Sequence, residues 1–173
     1  METYVLDASA LFDLHTHFRA KFRKLRLMVQ QGYIKIPEGI FRELKRRTDA
    51  LFKTVEEWSR KNPDCVVQIS RVHNLANELV RIERQYGERI VVGTKEYDGF
   101  WHSPAARKAA DGQVVAVAKV LSATVVSDDR AVRLACMLEG IPCIGWTEFA
   151  RRADLISSQL SLWQSEEQKE EKE

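Results

Sequence analysis

Four short apolar runs, each followed at once by a helix signal, constrain this chain most. They are "TYVLD" (3–7), "YIKIP" (33–37), "ATVVSD" (123–128) and "IPCIGW" (141–146). Apart from Lys35 they are apolar through their centres instead of alternating, as in a strand buried on both faces. The stretches between them carry apolar residues at helical spacing. Strands of that kind alternating with helices predict an α/β fold, a parallel sheet with helices on both faces. The expected architecture is a three-layer α/β/α sandwich with short strands.

After "TYVLD", "ASALFDL" opens a helix, and Phe18, Phe22, Leu25 and Val29 extend the helical spacing toward Gly32. Pro37 suits the first turn of the next helix, whose stripe is Ile40, Leu44, Leu51, Val55 and Trp58, broken by "NPDC". "RVHNLANELVRIERQYG" is amphipathic and ends at Gly87, and "RIVVG" fits either a strand or a loop. "SPAARKAADGQVVAVAKVL" reads as a helix with Ser103 as N-cap and Pro104 at its first position, Gly112 sitting inside it at some cost. "RAVRLACMLEG" closes at Gly140, and a last helix runs from Thr147 to about Trp163.

The length of 173 residues suits one domain, taken as 1–163, with an acidic, low-complexity tail at 164–173 expected to be disordered. No apolar run approaches the ~20 residues of a membrane helix, and the N-terminus lacks the features of a signal peptide, so the expected location is cytoplasmic. Three cysteines without paired spacing (Cys65, Cys136, Cys143) argue against a disulfide framework or a zinc site and for core packing.

In a parallel sheet the functional crevice lies beyond the carboxyl ends of the strands. Asp7 closes the first strand, and Ser127, Asp128 and Asp129 close the strand before the last. Glu43, six residues past Pro37 and roughly 9 Å along a helix axis, stays near that edge, and Asp111 could face it from the preceding helix. Each acid has a plainer role. Asp7, Asp128 and Asp129 all fit helix N-caps, Glu43 a solvated helix face and Asp111 the surface. Converging carboxylates need a counter-charge, and hard oxygen ligands without thiol or imidazole clusters point to Mg²⁺ or Mn²⁺ acting on phosphate.

The order of these pieces resembles the PIN domain family over about Thr3 to Phe149. The matching pieces are "YVLDASAL", "IPEGIFREL", "DGQVVAVA" and "SDD". The resemblance implies a PIN-like sandwich and a metal-dependent endoribonuclease, with small single-domain versions looking most like the VapC-type toxins of toxin–antitoxin pairs. It implies Asp7, Glu43, Asp111 and Asp129 as the catalytic acids, with Asp7, Asp111 and Asp129 holding Mg²⁺ or Mn²⁺. Ser127 takes the hydroxyl position, and Asp128, in the variable place, caps a helix or meets solvent. The segment between Glu43 and Asp111 is longer than in a compact toxin. RNA is the implied substrate, an antitoxin the implied partner, and a homodimer fits.

The basic segment with Arg19, Lys21, Arg23, Lys24 and Arg26 could track a phosphate backbone, as could Arg130 beside the acid pair, although a solvated helix face explains that segment nearly as well. His15, His17 and His102 read as surface residues, Phe100 and Trp101 as core. Two competitors stand against the nuclease: a PIN-like module that binds RNA or protein without cutting, and a haloacid-dehalogenase-like phosphatase. The second wants an aspartate at position 9, where this chain has serine.

Overall fold

The structure, a computed structural model, describes residues 2–102 and 108–156. β1 (Tyr4–Leu6) is buried along its length and leads into α1 (Ala8–His17). A 3-10 turn over Phe22–Lys24 then precedes α2 (Leu25–Gln30), where the apolar spacing predicted one continuous helix. Phe18 leaves helical geometry with φ −123° and ψ 35° as its N–H closes the last turn on the Leu14 carbonyl. The break lets Phe22 stack on Trp58 at 5.1 Å between centroids. Gly32, at φ 78°, follows α2 as expected.

β2 (Ile34–Pro37) pairs in parallel with β1, and α3 (Glu38–Lys45) follows. Pro37 is therefore the last strand residue and caps the helix from outside it. The predicted stripe from Ile40 to Trp58 is buried throughout, but two helices carry it. Thr48 turns the chain at φ 48°, and Asp49 restarts it as α4 (Ala50–Lys61), its carboxylate accepting from the Phe52 N–H at 3.0 Å. That N-cap is the signal the stripe conceals. After a 3-10 turn at Pro63–Cys65 comes β3 (Val66–Val67), a parallel partner of β2 that the sequence reading omits because it is short and lies directly behind the "NPDC" break.

α5 (Leu75–Tyr86) ends at Gly87 as expected. "RIVVG" resolves as β4 (Arg89–Val92), antiparallel to β5 (Lys95–Asp98) in a hairpin outside the main sheet. Within the described residues α6 spans Lys108–Leu121; the predicted Ser103 cap and Pro104 lie outside them. A Cβ on Gly112 would lie 2.8 Å from Glu83 Cγ, so glycine permits the close packing of α5 on α6. β6 (Thr124–Val126), α7 (Arg130–Glu139) and β7 (Cys143–Ile144) follow. α8 (Trp146–Arg152) is shorter than predicted, because Asp154 adopts φ 55° and the chain turns. The acidic tail lies outside the described residues.

The five-stranded sheet has the order β3-β2-β1-β6-β7, parallel throughout. One face is covered by α6 with α5 and α7, the other by α1 with α3, α4 and α8. This is the expected three-layer α/β/α sandwich. From β1 the chain moves outward to β2, and from β6 it moves outward the other way to β7. Right-handed crossovers then send α1 and α7 to opposite faces. The order reverses between β1 and β6, and a crevice opens at such a switch point. Among the described residues no helix is long and apolar enough to cross a membrane.

Candidate active site at the switch point

Asp7 and Ser127 sit directly past the ends of β1 and β6, the two strands that flank the crevice. Asp7 is only 4% exposed and Ser127 is fully buried. Asp7 serves as the N-cap of α1, Oδ1 accepting from the Ala10 N–H at 2.6 Å. Its Oδ2 accepts from the Ser127 hydroxyl, and Ser127 Oγ accepts in turn from the Asp129 N–H at 3.1 Å. A relay of hydrogen bonds thus runs from the start of α7 to the Asp7 carboxylate.

Asp129 is the N-cap of α7, Oδ1 accepting from the Val132 N–H at 3.0 Å. The cap leaves acceptor capacity on that carboxylate, because each carboxylate oxygen accepts more than one bond. Asp128 points elsewhere. Its carboxylate accepts from the Trp146 N–H at 3.2 Å and pairs with Arg133 at 3.3 Å, so it caps α8 and remains exposed.

A cavity of about 220 Å³ opens beside this relay. Asp111 from α6 and Asp129 line it together with Tyr97, Asp98 and His102. Arg130 also lines it, its guanidinium 4.5 Å from the centre of the Tyr97 ring. The hairpin residues had no sequence signal, since "KEYD" looks like solvated loop. Glu43 lies half-buried on α3 and does not line the cavity. Gln113, two residues after Asp111, does have a positioning role that the sequence reading missed. It is buried, and its Oε1 accepts from the Gly39 N–H at 2.7 Å, fastening α6 to the start of α3.

The electrostatics single out Asp7. Burial pushes its carboxyl up to about 6, with the nearby charges of Asp129 and Asp128 adding to the rise, while the Ser127 and Ala10 hydrogen bonds oppose it. Ser127→Ala removes one opposing bond. It should raise the Asp7 pKa further, readable by NMR titration of the Asp7 carboxyl; an unchanged titration would show that Ser127 does not tune it.

Among the described residues no three His, Cys, Asp or Glu side chains are grouped so that they could hold a metal ion by themselves. Mg²⁺ does not require such a cage, because it keeps several waters and is held by one or two carboxylates together with substrate phosphate. The donors here are hard oxygens, and a divalent cation would relieve the strain of an ionised Asp7 beside Asp129. The residues therefore fit that class of ion.

The basic segment lies elsewhere. α1 starts at the Asp7 edge and runs about 15 Å away from it. Arg19, Lys21, Arg23, Lys24 and Arg26 follow its far end, exposed, and Lys21 donates to the Leu155 carbonyl at 3.0 Å. Arg130 alone of the predicted phosphate contacts joins the acids. Phe100 is core as expected, whereas Trp101 is partly exposed and His102 pairs with Glu88 at 3.4 Å. Cys65 and Cys136 are buried and Cys143 is half-buried, all three as free thiols.

The chain belongs to the family described as a domain of unknown function (DUF4411), whose model matches residues 4–156. No curated protein matches it. Among solved structures it is similar to PAE2754 from Pyrobaculum aerophilum, with 14% sequence identity and a TM-score of 0.47 over 90% of this chain and 98% of that one.

Proposed function

We propose that the protein is a PIN-like, metal-dependent endoribonuclease whose reaction takes place at the switch point between β1 and β6. The observation that carries this reading is the Asp7 carboxylate. It is buried where the sheet opens, gripped by Ser127, and raised to about 6 next to a cavity shared by Asp111 and Asp129. Burying an acid with further acids around it costs stability, and such arrangements concentrate at functional sites.

In this reading Asp7, Asp111 and Asp129 would hold Mg²⁺ or Mn²⁺. The bound ion supplies charge for the phosphoryl oxygens and an acidified water. Ser127 fixes the Asp7 carboxylate in one rotamer and favours its ionised form. Asp129 stays oriented by its cap on α7. Arg130, steadied by Tyr97, faces the incoming phosphate from the same cavity. Glu43, on α3, is the fourth acid of this reading.

The test is incubation of a mixed, structured RNA pool with Mg²⁺ or Mn²⁺, comparing wild type, Asp7→Asn and a chelated control. Cleavage present in the first and absent in the other two is the expected result. A folded protein that cuts nothing under any condition would point instead to a non-catalytic RNA-binding or protein-binding module.

A further inference from the structure

We infer that the cavity between α7 and β7 is a nucleotide subsite, one that seats the base next to the scissile phosphate. The inference rests on the RNA-cutting reading. This cavity measures about 540 Å³, within the range of small-ligand sites. It adjoins the acid-lined cavity, because Arg130 lines both.

Helical spacing explains its character. Arg130, Arg133, Leu134 and Met137 are spaced i, i+3, i+4 and i+7, so α7 presents them on one face. Two cations come first and two apolar side chains follow, over about 10 Å of helix axis. Ile141 completes the apolar floor, and Cys143 and the Asp128 carboxylate are the remaining lining. Arg130 is held over Tyr97 and Arg133 against Asp128, whose carboxylate also accepts from the Trp146 N–H, so both guanidinium groups are placed in advance.

That sequence of chemistry matches one nucleotide leaving the acid site. Phosphates meet the arginines, and a planar base lies on the apolar floor. Met137 is exposed at the cavity, and a thioether makes favourable contact with aromatic rings. Contacts of this kind are made to the base face and give modest sequence preference without a hydrogen-bond code.

The test is fluorescence anisotropy with the full chain in EDTA, where no metal-dependent cut occurs. The probes are 5′-fluorescein hexaribonucleotides of A, C and U and an abasic hexamer. Wild type should bind the base-bearing probes about tenfold more tightly than the abasic one. Met137→Ser should lose about fivefold on the base-bearing probes and nothing on the abasic probe, with Met137→Leu keeping wild-type affinity. Arg133→Gln should weaken all four probes about equally. Unchanged binding by Met137→Ser, or an equal loss on the abasic probe, would overturn the subsite. So would failure of every probe to bind, which would leave the groove to another partner such as a protein helix. Cleavage of RNA in Mn²⁺ by a protein whose binding ignores Met137 would sink the subsite and leave the nuclease standing. The expected binding pattern without any cleavage would do the reverse.

Discussion

Asp7→Asn is expected to abolish metal-dependent RNA cleavage and, in the same protein, to raise the stability of the metal-free form at neutral pH. Both effects come from one buried charge. Asn is isosteric, so its carbonyl oxygen can still accept from the Ala10 N–H, and the Ser127 hydroxyl can turn to accept from the amide. What disappears is the ionised carboxylate that a divalent cation would require. Because Asn caps a helix as well as Asp does, loss of cleavage with a stable fold separates a ligand from a helix cap.

The sign of the stability effect follows from linkage. Asp7 has its pKa raised from 3.8 to about 6 on folding. Between those values the folded state holds more protons than the unfolded one, so stability falls as pH rises. The penalty is complete above about pH 6 and absent below about pH 4. A shift of this size corresponds to at most about 3 kcal/mol. In EDTA, Asp7→Asn should therefore gain on wild type as pH rises from 4 to 7, by roughly 1–3 kcal/mol in urea unfolding. Parallel pH profiles for the two proteins would show that Asp7 carries no such penalty. Mn²⁺ at about 100 times its dissociation constant should add about 2.7 kcal/mol to wild type at pH 7.5 and little to the variant. Below pH 6 that gain should shrink, since the proton competes with the ion for Asp7.

How much of this was legible in sequence depended on length and polarity. β1, β2, β6 and β7 declare themselves as apolar runs, and the acids placed at their ends fall where the switch point puts them. β3 is short and lies directly behind the "NPDC" break, and β5 is polar, so neither stands out. The hairpin wall of the cavity, Tyr97 through His102, was invisible for that reason. Helix breaks were hidden by continuous stripes: Ile40 to Trp58 keeps its spacing across the turn at Thr48, because both helices bury the same side. The basic run after α1 illustrates the converse. Composition shows that charge exists, but only topology shows that a ten-residue helix carries it away from Asp7. Of the two roles the sequence offers Asp129, the structure displays the helix cap, since that role is made by backbone geometry alone.

Glu139→Ala should lower stability and leave the chemistry intact. Glu139 ends α7, where an acid opposes the helix dipole. It is tolerated because three helices converge on its carboxylate, which is 8% exposed. Arg81 of α5 donates to both oxygens, at 3.0 and 2.6 Å, and the Tyr86 hydroxyl donates at 2.7 Å. From α6, Lys119 donates to the Glu139 carbonyl at 2.8 Å and lies 3.4 Å from its carboxylate. These partners, Arg81 foremost, hold the carboxyl down at about 2. Truncation strands the Tyr86 hydroxyl, while Arg81 keeps Glu78 and Gln85 and regains water where Glu139 was. The loss should be about 2 kcal/mol, or roughly 4–8 °C in Tm. Glu139→Gln should lose less, because it keeps the Tyr86 bond. A depressed acid stabilises above its unfolded pKa, so the gap between wild type and Glu139→Gln should close as pH falls from 4.5 toward 2. Asp129 and Arg130 sit at the opposite end of α7, about 15 Å away. Cleavage at 20 °C by Glu139→Ala should therefore match wild type, while the temperature of inactivation drops. Loss of cleavage at 20 °C in a protein still folded by circular dichroism would mean that the α5–α6–α7 layer transmits to the acid site.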